Sequence, residues 1–152
     1  MANTDHILIF SCENLRLAIQ LAPVERVIRA VKVNPVPNSP AIIHGIINDH
    51  GRILPVINLR ARLGLALKPV KISDRFIIVN IPGRRFAFVA DEVSEIDLFD
   101  IGSYTESEEI VAGVEAKGIL KRKDGLVLIY EIDKFFPLSD ANLLSELIKS
   151  KA

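Results

Sequence analysis

Three kinds of side chain in this sequence have the chemistry for catalysis or metal binding: histidine, cysteine and an aspartate beside a histidine. His6, His44 and His50 lack the spacing of a zinc-binding HExxH helix, and no Cys-x-x-Cys pair accompanies them. Asp49 precedes His50, as in a carboxylate that orients an imidazole, but no serine lies in a Gly-x-Ser-x-Gly turn. Cys12 lies in an apolar run, where cysteine behaves as a small core side chain. The sequence therefore predicts no enzyme activity, no metal site and no cofactor.

Phosphate and nucleic-acid binding have little support. The sequence contains neither a Walker A loop nor a GxGxxG motif. The basic cluster Lys121-Arg122-Lys123 stands at a predicted hairpin tip, but 19 Lys and Arg residues balance 19 Asp and Glu residues. Tryptophan is absent and only 6% of the residues are aromatic, which leaves few platforms for stacking bases. We interpret the cluster as a solvated turn and keep a small β-barrel nucleic-acid binder as a distant alternative.

The sequence also predicts where the protein works. The first ten residues lack the basic start of a signal peptide, and the lone cysteine has no internal partner for a disulfide. No run approaches the roughly 20 apolar residues that span a bilayer. We therefore expect a cytoplasmic protein with no direct membrane insertion.

The distribution of apolar residues predicts an all-β protein with short helices. Ile, Val and Leu carry most of the 49% hydrophobic content, in short runs separated by Gly, Pro, Asn and Asp. We count nine or ten strands. Val24, Val27 and Ile28 recur at helical spacing after Pro23, which predicts a short helix. A terminal amphipathic helix is predicted after Pro137, with one apolar stripe: Leu143, Leu144, Leu147 and Ile148.

A polar patch, Asn48-Asp49-His50-Gly51, separates two apolar runs in the middle of the chain. Glycine supplies a turn conformation that other residues resist, and the side chain of Asn48 can bond its own backbone across the turn. The pattern therefore predicts a hairpin whose tip displays residues 49 and 50 to solvent or to a protein partner.

The residues around this patch carry a resemblance to a family. Pro40 to Leu59, PAIIHGIINDHGRILPVINL, resembles the central signature of the CheW family, the adaptor proteins of bacterial chemosensory arrays. The flanking matches are short segments along nearly the whole chain: Ile9-Phe10-Ser11, Val89 to Val93, Asp124 to Leu128 and Ile132 to Phe135.

The resemblance implies a non-catalytic adaptor in signal transduction. Its expected fold is two five-stranded SH3-like β-barrel subdomains packed together over residues 6–137, followed by the helical segment 138–152. Its expected partners are the cytoplasmic tip of a methyl-accepting chemoreceptor and the regulatory domain of a CheA-type histidine kinase. Receptor arrays would then be its only link to the membrane.

The resemblance also implies two binding surfaces. Val24, Val27 and Phe76 map onto an apolar groove that receives the receptor's helical hairpin, although all three also fit an ordinary core. The coupling surface toward kinase and receptor comprises one residue of the predicted short helix and the central patch: Arg26, Asn48, Asp49, His50 and Gly51.

The chain departs from the family pattern within the coupling surface. The family usually has Leu-Arg where this chain has Asp49-His50, and Glu at the position of Arg26. An imidazole does not replace the planar, permanently charged guanidinium. Two functions remain open: an adaptor matched to a particular receptor and kinase, or a divergent scaffold that occupies arrays without coupling the kinase.

Overall fold

The computed structural model describes residues 4–100, 105–106, 110–111, 114–115, 117–123 and 125–149. These ranges contain thirteen strands: β1 (Thr4–Cys12), β2 (Leu15–Gln20), β3 (Val24–Arg29), β4 (Ile43–Asp49), β5 (Arg52–Ile57), β6 (Arg75–Ile81), β7 (Arg84–Ala90), β8 (Glu92–Asp100), β9 (Thr105–Glu106), β10 (Ile110–Val111), β11 (Val114–Glu115), β12 (Gly118–Arg122) and β13 (Gly125–Ile129). The helices are α1 (Leu59–Arg62), a 3₁₀ turn at Ile132–Lys134 and α2 (Leu138–Lys149). None of the helices in the described ranges is long and apolar enough to cross a membrane.

The strands form two mixed sheets, which confirms the all-β prediction and its two SH3-like subdomains. The first sheet has the order β8-β1-β2-β13-β12-β9, and the second has the order β3-β6-β7-β5-β4. Each contains one parallel pair, β2 with β13 and β5 with β7, among antiparallel neighbours. Strands β10 and β11 pair separately.

Alternation along the strands places apolar side chains in three buried clusters. The largest lies between the two sheets, because Phe10 of the first sheet and Phe88 of the second meet there with ring centroids 5.2 Å apart. Each sheet buries a further cluster on its other face; Ile7 belongs to that of the first sheet and Phe76 to that of the second. Side chains in the middle of the interior strands β2, β6 and β7 are therefore buried on both faces.

The predicted short helix at residues 24–28 is wrong: these residues form β3. A β-bulge lies between Val24 and Arg26 and shifts the strand register by one residue. Val24 consequently pairs with Val79 and Val27 with Ile77, two residues that share one face of β6. A bulge inserts one extra residue, so apolar residues three apart can lie on the same face and imitate helical spacing.

The C-terminal helix α2 is confirmed and packs on the core between the sheets. Leu144 is fully buried there, and Leu147 and Ile148 pack against the same cluster. Leu143 departs from the predicted stripe, because 45% of its surface remains exposed. An ion pair also joins the two helices: the Arg62 guanidinium of α1 lies 2.9 Å from the Asp140 carboxylate of α2.

Candidate protein-binding surfaces

Val24 and Val27 lie together on the face of β3 that is turned toward the first sheet. Their cross-strand partners, Val79 and Ile77, belong to the core between the sheets. Val24 is partly buried against this core, whereas Val27 is 37% exposed. Because β3 is an edge strand of its sheet, Val27 offers apolar surface at the margin of the cleft between the sheets.

Phe76 does not join this surface. It is fully buried on the opposite face of β6 and belongs to the cluster inside the second subdomain. Its cross-strand neighbour is Ile28, which packs against that same cluster. The structure therefore corrects the expectation that Phe76 lines an open groove, and its side chain acts in packing instead.

A hollow of about 490 Å³ opens where the two sheets meet, next to Pro23, immediately before β3. Pro23 and Ile81 line it from the second sheet, while Gln20 and Ile129 line it from the first. The hollow has polar residues along its rim, including Arg84. The hollow, Val24 and Val27 together form an open cleft between the subdomains, lined by both apolar and polar side chains.

The central patch forms the predicted hairpin between β4 and β5. His50 and Gly51 adopt positive φ angles of 52° and 86°, the backbone of a tight two-residue turn. The Gly51 backbone N–H donates to Asn48 Oδ1 at 2.7 Å, which is the predicted bond across the turn. His50 stands at the tip with 83% of its side chain exposed.

Asp49 is not displayed beside His50; its side chain is 93% buried in a charged cluster. The two oxygens of its carboxylate accept hydrogen bonds from Arg26 and Arg85 respectively. Arg85 also donates two bonds of 2.8 Å to the carboxylate of Glu25. The expectation that the turn exposes residue 49 is therefore wrong. Side chains alternate along β4, and Asp49 lies on the same buried face as Ile47.

The electrostatics of this cluster follow from its contacts. The hydrogen bonds from Arg26, then Arg85, lower the pKa of Asp49 to about 2. Bonding to Arg85 likewise lowers the pKa of Glu25, and the two carboxylates raise the pKa of Arg85. Asp49, Glu25 and Arg85 are therefore charged at neutral pH, and hydrogen bonds to charged groups are the stronger kind.

Arg26 makes its ion pair with Asp49 and not with the residue at the hairpin tip. The His50 imidazole Nε2 lies 3.9 Å from the same Asp49 oxygen, beyond hydrogen-bond distance. Arg26 keeps 37% of its side chain exposed. Sequence reasoning did not find Glu25 and Arg85 as members of this site, since Arg85 is 36 residues from Asp49 and no local pattern joins them.

Of the residues considered for catalysis, Cys12 lies in the core between the sheets. Cys12 is buried, and burial raises the pKa of its thiol to about 11, so the nucleophilic thiolate is scarce at neutral pH. Within the described ranges, no group of three His, Cys, Asp or Glu residues is arranged to hold a metal ion. In the basic cluster at 121–123, Arg122 pairs with Asp97 of β8.

A sequence profile of the CheW-like domain matches residues 6–139. The chain belongs to the CheW-like family. It is 29% identical to the chemotaxis protein CheW of Thermotoga maritima, across 84% of this chain and 85% of that protein. It is 33% identical to a probable chemotaxis protein CheW of Rhizobium etli across 66% of each chain.

A solved structure agrees with this family membership. The scaffolding protein TtCheW from Thermoanaerobacter tengcongensis superimposes with a TM-score of 0.79 and 27% identity. The alignment covers 92% of this CheW-like chain and 91% of that protein. The chain therefore shares both the sequence pattern and the two-subdomain architecture of these adaptors.

Proposed function

We propose that this chemotaxis adaptor links the cytoplasmic tip of a methyl-accepting chemoreceptor to the regulatory domain of a CheA-type histidine kinase. The match to the CheW-like domain over residues 6–139 carries the proposal. Its action is non-catalytic: it holds two proteins in contact. The role places it in the cytoplasm, associated with the membrane only through receptor arrays.

The receptor surface in this proposal is the cleft between the sheets. Val24 and Val27 supply its apolar side, and the adjacent hollow has room for further side chains of a helical partner. An amphipathic helix binds by laying apolar residues into such a cleft. Phe76 supports the cleft from beneath, because it lies on the other face of the neighbouring strand.

Replacing Val27 by serine is expected to weaken receptor binding about tenfold, since truncating an interface anchor commonly costs 1–2 kcal/mol or more. The thermal midpoint should fall by only a few degrees, because the side chain already meets solvent. Affinity for a purified receptor cytoplasmic fragment, measured by titration calorimetry, checks the first expectation. Thermal melting checks the second.

Leu126→Ser is the matched control for this experiment. Leu126 is a similarly exposed apolar residue of the first sheet, at the β12–β13 hairpin. Its replacement should leave receptor affinity unchanged. If Val27→Ser lowers the melting temperature strongly and binds the receptor as wild type does, Val27 is a core residue and the cleft is not the receptor surface.

The coupling surface in this proposal comprises Arg26 and the hairpin residues Asn48, Asp49, His50 and Gly51. Its charges are arranged differently from the family pattern of Glu opposite Arg. Here Arg26 is the exposed cation and Asp49 is the buried anion that holds it. This observation also favours the second function, a scaffold that occupies arrays without coupling the kinase.

We expect weak activation of a CheA-type kinase by the wild-type chain. Arg26→Glu alone should help little, because it places a carboxylate beside the buried Asp49. His50→Arg alone should also help little, since the carboxylate beside the hairpin tip, Asp49, already pairs with Arg26. The combined change Arg26→Glu, Asp49→Leu and His50→Arg restores the family pattern and should raise activation by more than the single effects together.

Kinase activation in reconstituted receptor–kinase mixtures measures these differences. Lys121→Glu, a charge reversal on the first sheet, is the control and should change nothing. Full activation by the wild type, or a combined variant that merely adds the single effects, would contradict this account of the coupling surface. Receptor binding without kinase activation by the wild type would establish the scaffold instead of the coupling adaptor.

A further inference from the structure

A second hollow, of about 600 Å³, opens between the segment that follows β3 and the segment that precedes β6. His44 of β4 lines it, and roughly 17 Å of extended strand separates His44 from Asp49. The volume falls within the range of about 300–1,000 Å³ that small-molecule sites occupy. In the described part of the chain, the charged side chains that line it are Lys32 and Lys71, so we name it the basic hollow. Most of its other lining residues are apolar, among them Val31, Val33, Val70 and Ile72.

Hydrogen bonds hold both walls of the basic hollow in place. Asn34 and Ile46 exchange two backbone bonds of 2.8 and 2.9 Å, which fix the segment after β3 against β4. The other wall turns tightly, since the Asp74 N–H donates to the Lys71 carbonyl at 3.0 Å and the Asp74 carboxylate accepts the Lys71 N–H at 2.8 Å. The Ala30 N–H joins the two walls by donating to the Asp74 carbonyl at 3.1 Å. A hollow that is already formed in this way loses little conformational entropy when a ligand binds.

Ile72 stands in this tight turn with 90% of its surface exposed. Turn positions favour Gly, Pro, Asn, Asp and Ser, each of which suits the turn backbone for its own reason. A β-branched apolar side chain in that place supports neither the turn nor the core. Val31, on the opposite wall, is 48% exposed. The local fold gives no reason for either exposed side chain, whereas a bound apolar group would cover both.

The polar side chains of the basic hollow lack partners within the described residues. Neither Lys32 nor Lys71 pairs with a carboxylate there. The Asp74 carboxylate is buried and engaged with the backbone of its own turn. His44 is half-buried, and its imidazole makes no hydrogen bond in the described part of the chain. Burial lowers the pKa of His44, so the imidazole is neutral at neutral pH and has one N–H to donate.

We propose that the basic hollow binds a small amphipathic carboxylate. Its carboxylate lies at Lys32, Lys71 and His44, and its apolar body lies against Val31 and Ile72. The carboxylate supplies the anion that the two ammonium groups lack and accepts the imidazole N–H. The apolar body removes exposed aliphatic surface from water. Neutral and cationic amphiphiles lack the first interaction, so charge decides which molecules bind. The basic hollow shares no lining residue with the receptor cleft or the coupling surface, and the inference is independent of the proposed function.

Titration of the isotope-labelled full chain with octanoate, followed by two-dimensional NMR, tests the proposal. Saturable shifts are expected at the backbone amides of the basic hollow, with a Kd of about 1 mM or below for a ligand of this size. Octanol and octylammonium are the matched ligands and should bind at least tenfold more weakly. Three results would overturn the proposal: no saturable shift at roughly ten times that octanoate concentration, equal binding of octanol, or shifts confined to the cleft at Val24 and Val27.

Substitutions at two exposed residues assign the site without disturbing the core. Lys71→Glu should weaken octanoate binding at least tenfold, because it replaces a cation by an anion, whereas Lys71→Arg should bind nearly as wild type does. Ile72→Ser should weaken octanoate and octanol by the same factor of about tenfold, since it removes only apolar contact. Lys121→Glu, on the first sheet, is the control and should leave octanoate affinity unchanged. Wild-type affinity in both Lys71→Glu and Ile72→Ser would show that octanoate binds elsewhere.

Discussion

Replacing Gly45 by alanine is expected to destabilise the protein by about 3–5 kcal/mol, the combined effect of a forbidden backbone angle and an overpacked site. Gly45 has a φ of 150°, which L side chains rarely adopt. An added Cβ would overlap the Asn34 carbonyl oxygen and lie 2.8 Å from its carbon. The segments at Asn34 and Gly45 cannot move apart freely, because Asn34 and Ile46 exchange two backbone hydrogen bonds of 2.8 and 2.9 Å.

Gly51→Ala is the matched control for this prediction. Gly51 also has positive φ, but nothing lies within 4 Å of the position that its Cβ would take. Only the backbone cost of about 1–2 kcal/mol should appear. Thermal or urea unfolding compares the two, with the midpoint of Gly45→Ala falling by about 6–20 °C, since 1 kcal/mol corresponds to about 2–4 °C at this size. A Gly45→Ala midpoint no lower than that of Gly51→Ala would contradict the close approach of the segment at Asn34.

Removing residues 138–152 is expected to lower stability by about 3–5 kcal/mol, through the loss of one fully buried leucine and two partly buried side chains. Leu144 fills the core between the sheets from α2, beside Leu147 and Ile148. Phe135 and Phe136 belong to the same buried cluster, so loss of the helix should expose part of that cluster to water. Urea unfolding of the shortened chain measures the effect.

A pair of adjacent leucines makes this prediction sharper. Leu144→Ala should cost about 2–5 kcal/mol, as for other buried leucines, while Leu143→Ala should stay within about 0.5 kcal/mol of wild type. Both changes keep helix propensity similar, so they differ in burial alone. If the shortened chain kept its stability and lost partner binding, α2 would be a binding element instead of part of the core.

The architecture was predictable because its signals are local. Short apolar runs, glycine-containing turns and the Asn48–Gly51 patch each concern neighbouring residues, and the structure confirms the hairpin and its side-chain bond. The family resemblance supplied the two-subdomain arrangement. The predicted apolar stripe of α2 is wrong at Leu143, which is exposed. Helical spacing defines which residues share a face, but not how much of that face the sheets cover.

The site was less predictable because its geometry depends on register and on distant pairs. The bulge in β3 changes which face Val27 occupies, and a bulge has no clear sequence signature. In β6, four consecutive residues from Phe76 to Val79 are buried, so alternation cannot tell which of them point to the cleft. Arg85 reaches Asp49 across the sheet, and its contact follows only from the folded strand order.

The second sheet lies between β2 and β8 in the chain, so it interrupts the first. All of its strands are contained in residues 24–90, whereas β2 obtains its neighbour β13 only at Gly125–Ile129. At translation speeds of roughly 5–20 residues per second, the 39 residues between the end of β7 at residue 90 and the end of β13 at residue 129 take roughly 2–8 seconds to synthesise. A nascent chain therefore holds a complete second sheet whose apolar face, including Ile77 and Phe88, awaits cover from an unfinished first sheet. During this interval the apolar face of the second sheet is exposed and can be bound by chaperones at the ribosome.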